Sequence, residues 1–291
     1  MAPTHSGIAI SELDQIEDLR KIEWLQKLVW GLDDLETIPV SMLVSIRKSG
    51  GIIMGAFKGS VLVGFVFGLA ALDEAVLEPG PKPEILTPVP VPGLTRLHSH
   101  MLAVDPAYRN RGIAYSLKLA QRERALASGH KVITWTFDPL QSANAHLNFG
   151  KLGAISATYE VNTYGEHTSS FLHANIGTDR LLVHWDITSE PAPPQAPGRS
   201  DENTSVLVRA GRDQHPVMAD FDQSLKSDTI LIDIPSQIAV LQKDEPELAR
   251  NWRLTTRDAF MRAFAEGYVI RTFKRPRQSS RQAGSYILKR G

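Results

Sequence analysis

His98-Ser99-His100-Met101-Leu102-Ala103-Val104-Asp105-Pro106-Ala107-Tyr108-Arg109-Asn110-Arg111-Gly112-Ile113-Ala114 is the stretch whose reading decides the fold. The apolar run ending at Val104 has strand length and Asp105-Pro106 stops it. Ile113, Leu117, Ala120 and Ala127 then recur at helical spacing up to Gly129. The pattern predicts a strand, a tight turn and a helix, with the turn on the helix N-terminus. Gly112 has no side chain and Ala114 almost none, so a ligand can approach the backbone there. The first N–H groups of a helix lack intrahelical acceptors and sit at the positive end of its dipole, which suits a diphosphate. Arg109 and Arg111 flank the turn with full charges. The spacing, Arg-x-x-Gly-x-Ala, is neither the dinucleotide fingerprint nor a P-loop. The plainer reading is a strand-to-helix turn without a ligand.

The turn resembles the pyrophosphate loop of the GNAT superfamily of CoA-dependent N-acyltransferases. That loop reads Gln/Arg-x-x-Gly-x-Gly/Ala, follows a strand ending in Val-x-Pro and opens a long helix; Val104-Asp105-Pro106 and Arg109 to Ala114 fit at every position. The resemblance implies an α/β fold: a mixed central sheet with splayed strands, flanked by helices. It also implies acetyl-CoA or another acyl-CoA as co-substrate. Its diphosphate would lie on Arg109, Asn110, Arg111, Gly112, Ile113 and Ala114, and its pantetheine arm would run along the backbone of Leu102, Ala103 and Val104 as a pseudo-strand.

Composition narrows the alternatives. The 291 residues, 42% of them hydrophobic, suffice for a packed core. Lys plus Arg and Asp plus Glu are each 32, so net charge gives no reason to expect a nucleic-acid or membrane-surface partner. With no cysteine there is no disulfide, thiolate metal site or Cys nucleophile. No leader-like start and no membrane-length apolar run occur, so a cytoplasmic protein is expected. Lys274, Arg275, Arg277 and Arg281 read as a solvated loop between two strands or as an anion site.

His98 and His100 are two apart on the central strand, so both are expected on one face, with Met101 and Ala103 on the other. Transfer of an acyl group to nitrogen requires an amine without its extra proton, and histidine, with a pKa near ~6.5, can take that proton. The His-x-His-x-Leu-Ala-Val order is similar to arylalkylamine N-acetyltransferases, in which paired histidines on this strand help deprotonate the amine. Packed structural histidines and a metal pair are the other readings; no third residue stands at metal-ligand spacing, so no metal is expected.

Taken in order, Gly7 to Ile10 reads as a strand, and Ser11-x-x-Asp14 as a capping-box start to a helix ending near Trp30 and Gly31. Trp24 and Trp30 are cleft lining or core. A second helix opens at Pro39, and a hairpin follows over Ile52 to Phe57 and Val61 to Ala70. The resemblance makes Leu32 to Met42 one wall of the acceptor site. Six prolines between Asp73 and Arg96 exclude a central strand or helix and make that segment a lid or a rigid excursion. Lys131 to Phe137 is a strand, Ser142 to Lys151 a helix, and Ile155 to Val161 with Arg180 to Ile187 a strand pair. Lys151-Leu152-Gly153-Ala154 is similar to the family's Lys-Leu-Gly-Phe close. Phe149 stands where many members carry a Tyr that protonates the departing thiolate, and Ser142 with Asn144 stands near the usual helix-start Asn, as further candidates against the coenzyme. Tyr115, Tyr159 and Tyr164 are substitutes for that acid, or packing.

Trp30, Trp135, Tyr164 and Arg180 are the acceptor-site candidates, Arg180 through a guanidinium for a carboxylate. The alternative for Arg180 is an internal contact with Asp179. Prolines 191, 193, 194 and 197 mark 189–205 as a linker between an acyltransferase domain, 1–188, and a small α/β appendage, 206–291. His-Ser-His-Met-Leu, Phe-Asp-Pro-Leu-Gln-Ser and Thr-Asp-Arg-Leu-Leu resemble a longer bacterial subgroup of predicted acetyltransferases, some relatives of which succinylate amino acids. The expectation is acetyl or succinyl transfer to a primary amine of a small molecule, an amino acid or related amine, by direct attack in a ternary complex, with a homodimer left open. A catalytically silent acyl-CoA-binding module and a protein lysine or N-terminal acetyltransferase are the alternatives.

Overall fold

The computed structural model describes residues 7–72, 77–79, 86–88, 95–165, 176–190, 203–211, 213–275 and 283–290. The chain packs as two compact units: residues 1–135 with 186–188, and residues 136–185 with 189–291. The second unit takes in residues 155–160 and 180–185, ahead of the proline-rich segment, together with the C-terminal part. Most of the expected linker, 189–205, lies outside the described residues, as do Arg277 and Arg281 of the basic run.

In the first unit, β1 (Ala9–Glu12), α1 (Ile16–Trp30), α2 (Val40–Lys48), β2 (Ile52–Lys58) and β3 (Val61–Leu72) precede two short strands, β4 (Leu77–Pro79) and β5 (Leu86–Pro88). β4 and β5 pair only with each other, inside the proline-rich segment where a bare loop is expected; proline tolerates such a two-stranded edge. The rest of that segment is outside the described residues, so a lid is untested. β6 (Thr95–Val104), a 3-10 turn at Pro106–Tyr108, α3 (Ile113–Ala127) and β7 (Val132–Phe137) follow. The sheet order is β1-β2-β3-β6-β7, antiparallel except for the parallel β6 and β7.

The expected capping box at Ser11-x-x-Asp14 does not form: Ser11 pairs with Gly55 in β1, and α1 starts at Ile16 with no side-chain cap. Strand pairing outweighs a local cap here. On one face of the sheet, Leu19, Ile22 and Leu25 of α1 and Leu43 and Ile46 of α2 pack with Ile53, Phe65, Phe67 and Ala103. Each fully buried aliphatic in this core contributes about 1.5–3 kcal/mol. On the other face α3 lies close to Gly64, where an added Cβ would meet the Ala103 carbonyl oxygen at 3.0 Å and Leu117 at 3.2 Å.

In the second unit, α4 (Ser142–Ala145) continues as a wide turn, His146–Lys151, in which Leu152 N–H donates five residues back to Leu147. β8 (Ile155–Glu160), β9 (Arg180–Asp186), β10 (Thr204–Ala210), β11 (Pro216–Met218), α5 (Phe221–Ser224), β12 (Thr229–Ile234), α6 (Ile238–Asp244), α7 (Pro246–Ala265), β13 (Tyr268–Lys274) and β14 (Gly284–Arg290) complete it. β11, α5 and α6 are too short or too polar to stand out in the sequence. The strand order is β9-β8-β13-β14-β12-β10-β11. Tyr286 sits at its centre, ringed by Phe149, Phe260 and Phe273 at centroid distances of 5.9, 5.1 and 4.9 Å. No helix among the described residues is long and apolar enough to cross a membrane.

Candidate active site

Two departures from regular pairing shape β6. Along β3, Phe67 faces Met101 and Gly68 faces Ser99, so His100 is an extra residue, a bulge. Directly paired residues share a face. Phe65 with Ala103, Phe67 with Met101 and Leu69 with His98 therefore all point toward α1 and α2. The His100 ring lies 5.6 Å from that of Phe67, on the same side. The histidines do share a face, but Met101 and Ala103 join them there: the bulge resets an alternation that simple counting places opposite. The second departure is on the other edge. Parallel pairing with β7 covers only Leu97 with Ile133 and His98 with Thr134, so β6 runs from Ser99 to Val104 with β3 as its one paired neighbour in this unit.

Beyond Val104 the turn has the expected form. Asp105 caps the 3-10 turn by accepting from Ala107 N–H at 2.8 Å, and Arg109 Nε donates to the Val104 carbonyl at 3.3 Å. Asn110 and Gly112 both adopt left-handed backbone, at φ 62° and 79°. That conformation is cheap for glycine and tolerated by asparagine. It turns the peptides so that the amides of Asn110, Arg111, Gly112, Ile113 and Ala114 donate to no backbone or side-chain acceptor among the described residues. Ser116 N–H makes the first helical bond, to Gly112. Arg109, Asn110 and Arg111 are exposed, and Arg111 lies over the Tyr108 ring at 5.2 Å while donating to the Ala107 carbonyl. A run of unpartnered amides at a helix N-terminus, with two guanidiniums beside it, has the chemistry to receive an anion.

Residues 15–153 match the model of the Acetyltransferase (GNAT) family. They are a GNAT acetyltransferase domain. Its chemistry is acyl-CoA-dependent N-acyl transfer. The chain is also similar to the ribosomal-protein-S18-alanine N-acetyltransferase of Escherichia coli (15% identity, 63% of this chain and 96% of that one, TM-score 0.45). It is similar to a GNAT-family acetyltransferase of Streptococcus pneumoniae (16%, 61% and 98%, 0.44). A third likeness is to yncA of Salmonella typhimurium, solved with acetyl-CoA (14%, 66% and 100%, 0.44). No curated protein matches.

Electrostatics separate the two histidines of this GNAT domain. His98 is half-buried, its Nδ1 is 3.2 Å from Thr134 Oγ1, and burial, with His100, Arg96 and Lys118 nearby, pushes its pKa down to about 4. His100 is the more exposed; the protein around it also lowers its pKa. Among the described residues no three His, Asp or Glu side chains are grouped to hold a metal.

Of the acceptor-site candidates, Trp30 and Trp135 lie in the first unit and Tyr164 and Arg180 in the second. Trp30 packs edge-on against Phe65 at 6.2 Å, part of the core. Trp135 is 6% exposed and lies beneath the Lys118 amine. In the second unit Tyr164 is exposed, and the Arg180 guanidinium stacks on its ring at 4.9 Å. Arg180 does make an internal contact with Asp179, but both residues are buried and the contact is to the backbone. Arg180 Nη1 donates to the Asp179 backbone carbonyl, whereas the carboxylate pairs with Arg257 at 2.8 and 2.9 Å. Ser142 is buried, its Oγ facing Gly284, while Asn144 is exposed. Phe149 is buried between Phe137 and Tyr286. Of the substitute tyrosines, Tyr159 donates to Asp179 at 2.6 Å, and burial pushes its pKa far up, which unsuits it for giving up a proton. Sequence reasoning missed the bulge, the Thr134 contact and Lys118; the only linear trace of Lys118 is a charge beside Leu117 on a helix that must be buried.

Proposed function

We propose that this chain moves an acyl group, acetyl or succinyl, from acyl-CoA to the primary amine of a small molecule such as an amino acid, with both substrates bound at once. The observation that carries this reading is the run of five amides from Asn110 to Ala114 with no acceptor among the described residues, in a turn that carries the exposed Arg109 and Arg111. These groups hold the diphosphate. The free edge of β6 gives alternate amides of Leu102, Ala103 and Val104 to the pantetheine arm by strand addition, and aims an N–H at the thioester carbonyl. Acyl-CoA supplies an activated acyl group on a thiolate whose parent thiol has a pKa near ~8.5, a fair leaving group even where Phe149 offers no proton.

His100 is the proton acceptor in this reading. A base works best with a pKa near the working pH. At about 4, His98 is neutral but too weak a base, and it serves behind His100 as a relay through Thr134. The rate gain comes from holding amine and thioester side by side and from polarising the carbonyl, with no covalent acyl-enzyme.

The test is calorimetric titration with CoA, then incubation with acetyl- or succinyl-CoA and a pool of primary amines while free thiol is followed. The expected result is amine-dependent thiol release, reduced about 100-fold or more in His100→Ala with CoA binding intact. CoA binding with no amine-dependent release would make the protein a silent acyl-CoA-binding module.

A further inference from the structure

The fork between β6 and β7 has a definite starting point, and one side chain marks it. The last residues in β6–β7 register are His98 and Thr134; the next in line, Ser99 and Trp135, do not pair with each other. Lys118 of α3 reaches both. Its Nζ donates to Ser99 Oγ at 2.8 Å and lies 3.8 Å from the centre of the Trp135 ring. Gln121 Oε1, one turn further along α3, accepts from the same nitrogen at 3.4 Å. The lysine is 3% exposed, and its partners among the described residues include no carboxylate. Burial alone drives its pKa well down.

An amine in such a place is costly, and a methionine would fill the same volume without the penalty of burying it. What the amine adds is a bond to Ser99 and a seat on Trp135, the residues that follow the last β6–β7 rung on each strand. We infer that Lys118 is a positioning residue that braces the fork. It ties Ser99 and Trp135 to α3 where their strands part, and so keeps the edge of β6 open for the acyl donor. This rests on the function proposed above, since the donor is what the open edge receives.

Lys118→Met keeps the length of the side chain and removes the nitrogen. In the full-length protein, the KM for the acyl donor and the calorimetric Kd for CoA should both rise about tenfold, while the KM for the amine and kcat at saturating donor stay within about twofold. Ser99→Ala should move the donor constants in the same direction. The double variant should be no worse than Lys118→Met alone, because both substitutions remove one bond. A lysine that only fills the core would lower the melting temperature of Lys118→Met and leave the donor constants of the folded protein unchanged, and that result overturns the brace. Should Lys118→Met fail to fold, unchanged donor constants in Ser99→Ala overturn it instead. If the unsubstituted protein binds no CoA, the proposed function falls and takes the brace with it. If it binds CoA and Lys118→Met binds equally well, only the brace falls.

Discussion

The turn at Asn110 to Ala114 and the cluster around Asp179 use charge in opposite ways. Asp179 is fully buried, and its carboxylate accepts from Arg257 twice, from the Tyr159 hydroxyl and from the Asn162 amide. Nearby in the same unit, Arg253 donates to Asp138 at 2.6 Å with both groups buried. The Asp179 carboxylate is saturated by the protein itself. The turn leaves five amides without an acceptor among the described residues, with two exposed guanidiniums beside them. Charge that has found its partners inside the fold holds the fold, whereas donors left open at the surface are available to a ligand.

Breaking the saturated cluster should have the largest effect. Asp179→Ala leaves Arg257, the Tyr159 hydroxyl and the Asn162 amide without their acceptor, and should cost about 3–5 kcal/mol of stability, read as a lowered denaturant midpoint. His98 lies between the two extremes, half-buried with one polar partner. Its folded pKa of about 4 is below the ordinary 6.5, so between those values the unfolded chain binds the extra proton and the folded one does not. Stability is therefore lost as pH falls from 6.5 toward 4, by on the order of 2 kcal/mol after allowance for partial exposure. His98→Gln should flatten that part of the stability profile.

At the open turn, Gly112→Val forces a branched side chain into a left-handed backbone, at a cost of about 1–2 kcal/mol, and crowds the amides. CoA affinity should fall about tenfold or more by calorimetry, a loss larger than the stability change explains. Arg111→Ala is the mildest change. The side chain is exposed, so stability should stay within about 0.5 kcal/mol, while CoA affinity falls a few-fold at low salt and converges with the unsubstituted protein near ~1 M salt.

What was legible in the sequence is local. Val104-Asp105-Pro106, the glycine at 112 and the apolar spacing of α3 determine a strand, a stop and a helix within about twenty residues, and the turn formed as read. Positions that depend on another part of the chain were not legible. The bulge at His100 exists only relative to the β3 register, and counting along β6 therefore put Met101 and Ala103 on the wrong face. The partner of Asp179 is 78 residues away on α7, while its neighbour Arg180 offered a plausible local substitute. Lys118 meets Ser99 and Trp135 only once a helix and two strands are assembled. The expected helix over Ser142 to Lys151 was placed correctly, but nothing in its residues announces the wider five-residue spacing after Ala145.

The bulge also has a bearing on how this strand can change. A residue that stands outside the ladder carries no pairing duty, so the imidazole at position 100 can be exchanged for another reactive group while the neighbouring strands keep their places. Deleting the same residue is a different event. It would leave Ser99 and Met101 as consecutive rungs opposite Gly68 and Phe67, so the ladder becomes regular, Met101 and Ala103 keep their face, and what is lost is the imidazole and the local kink. Chemistry at this point is grafted onto the ladder and is not one of its rungs.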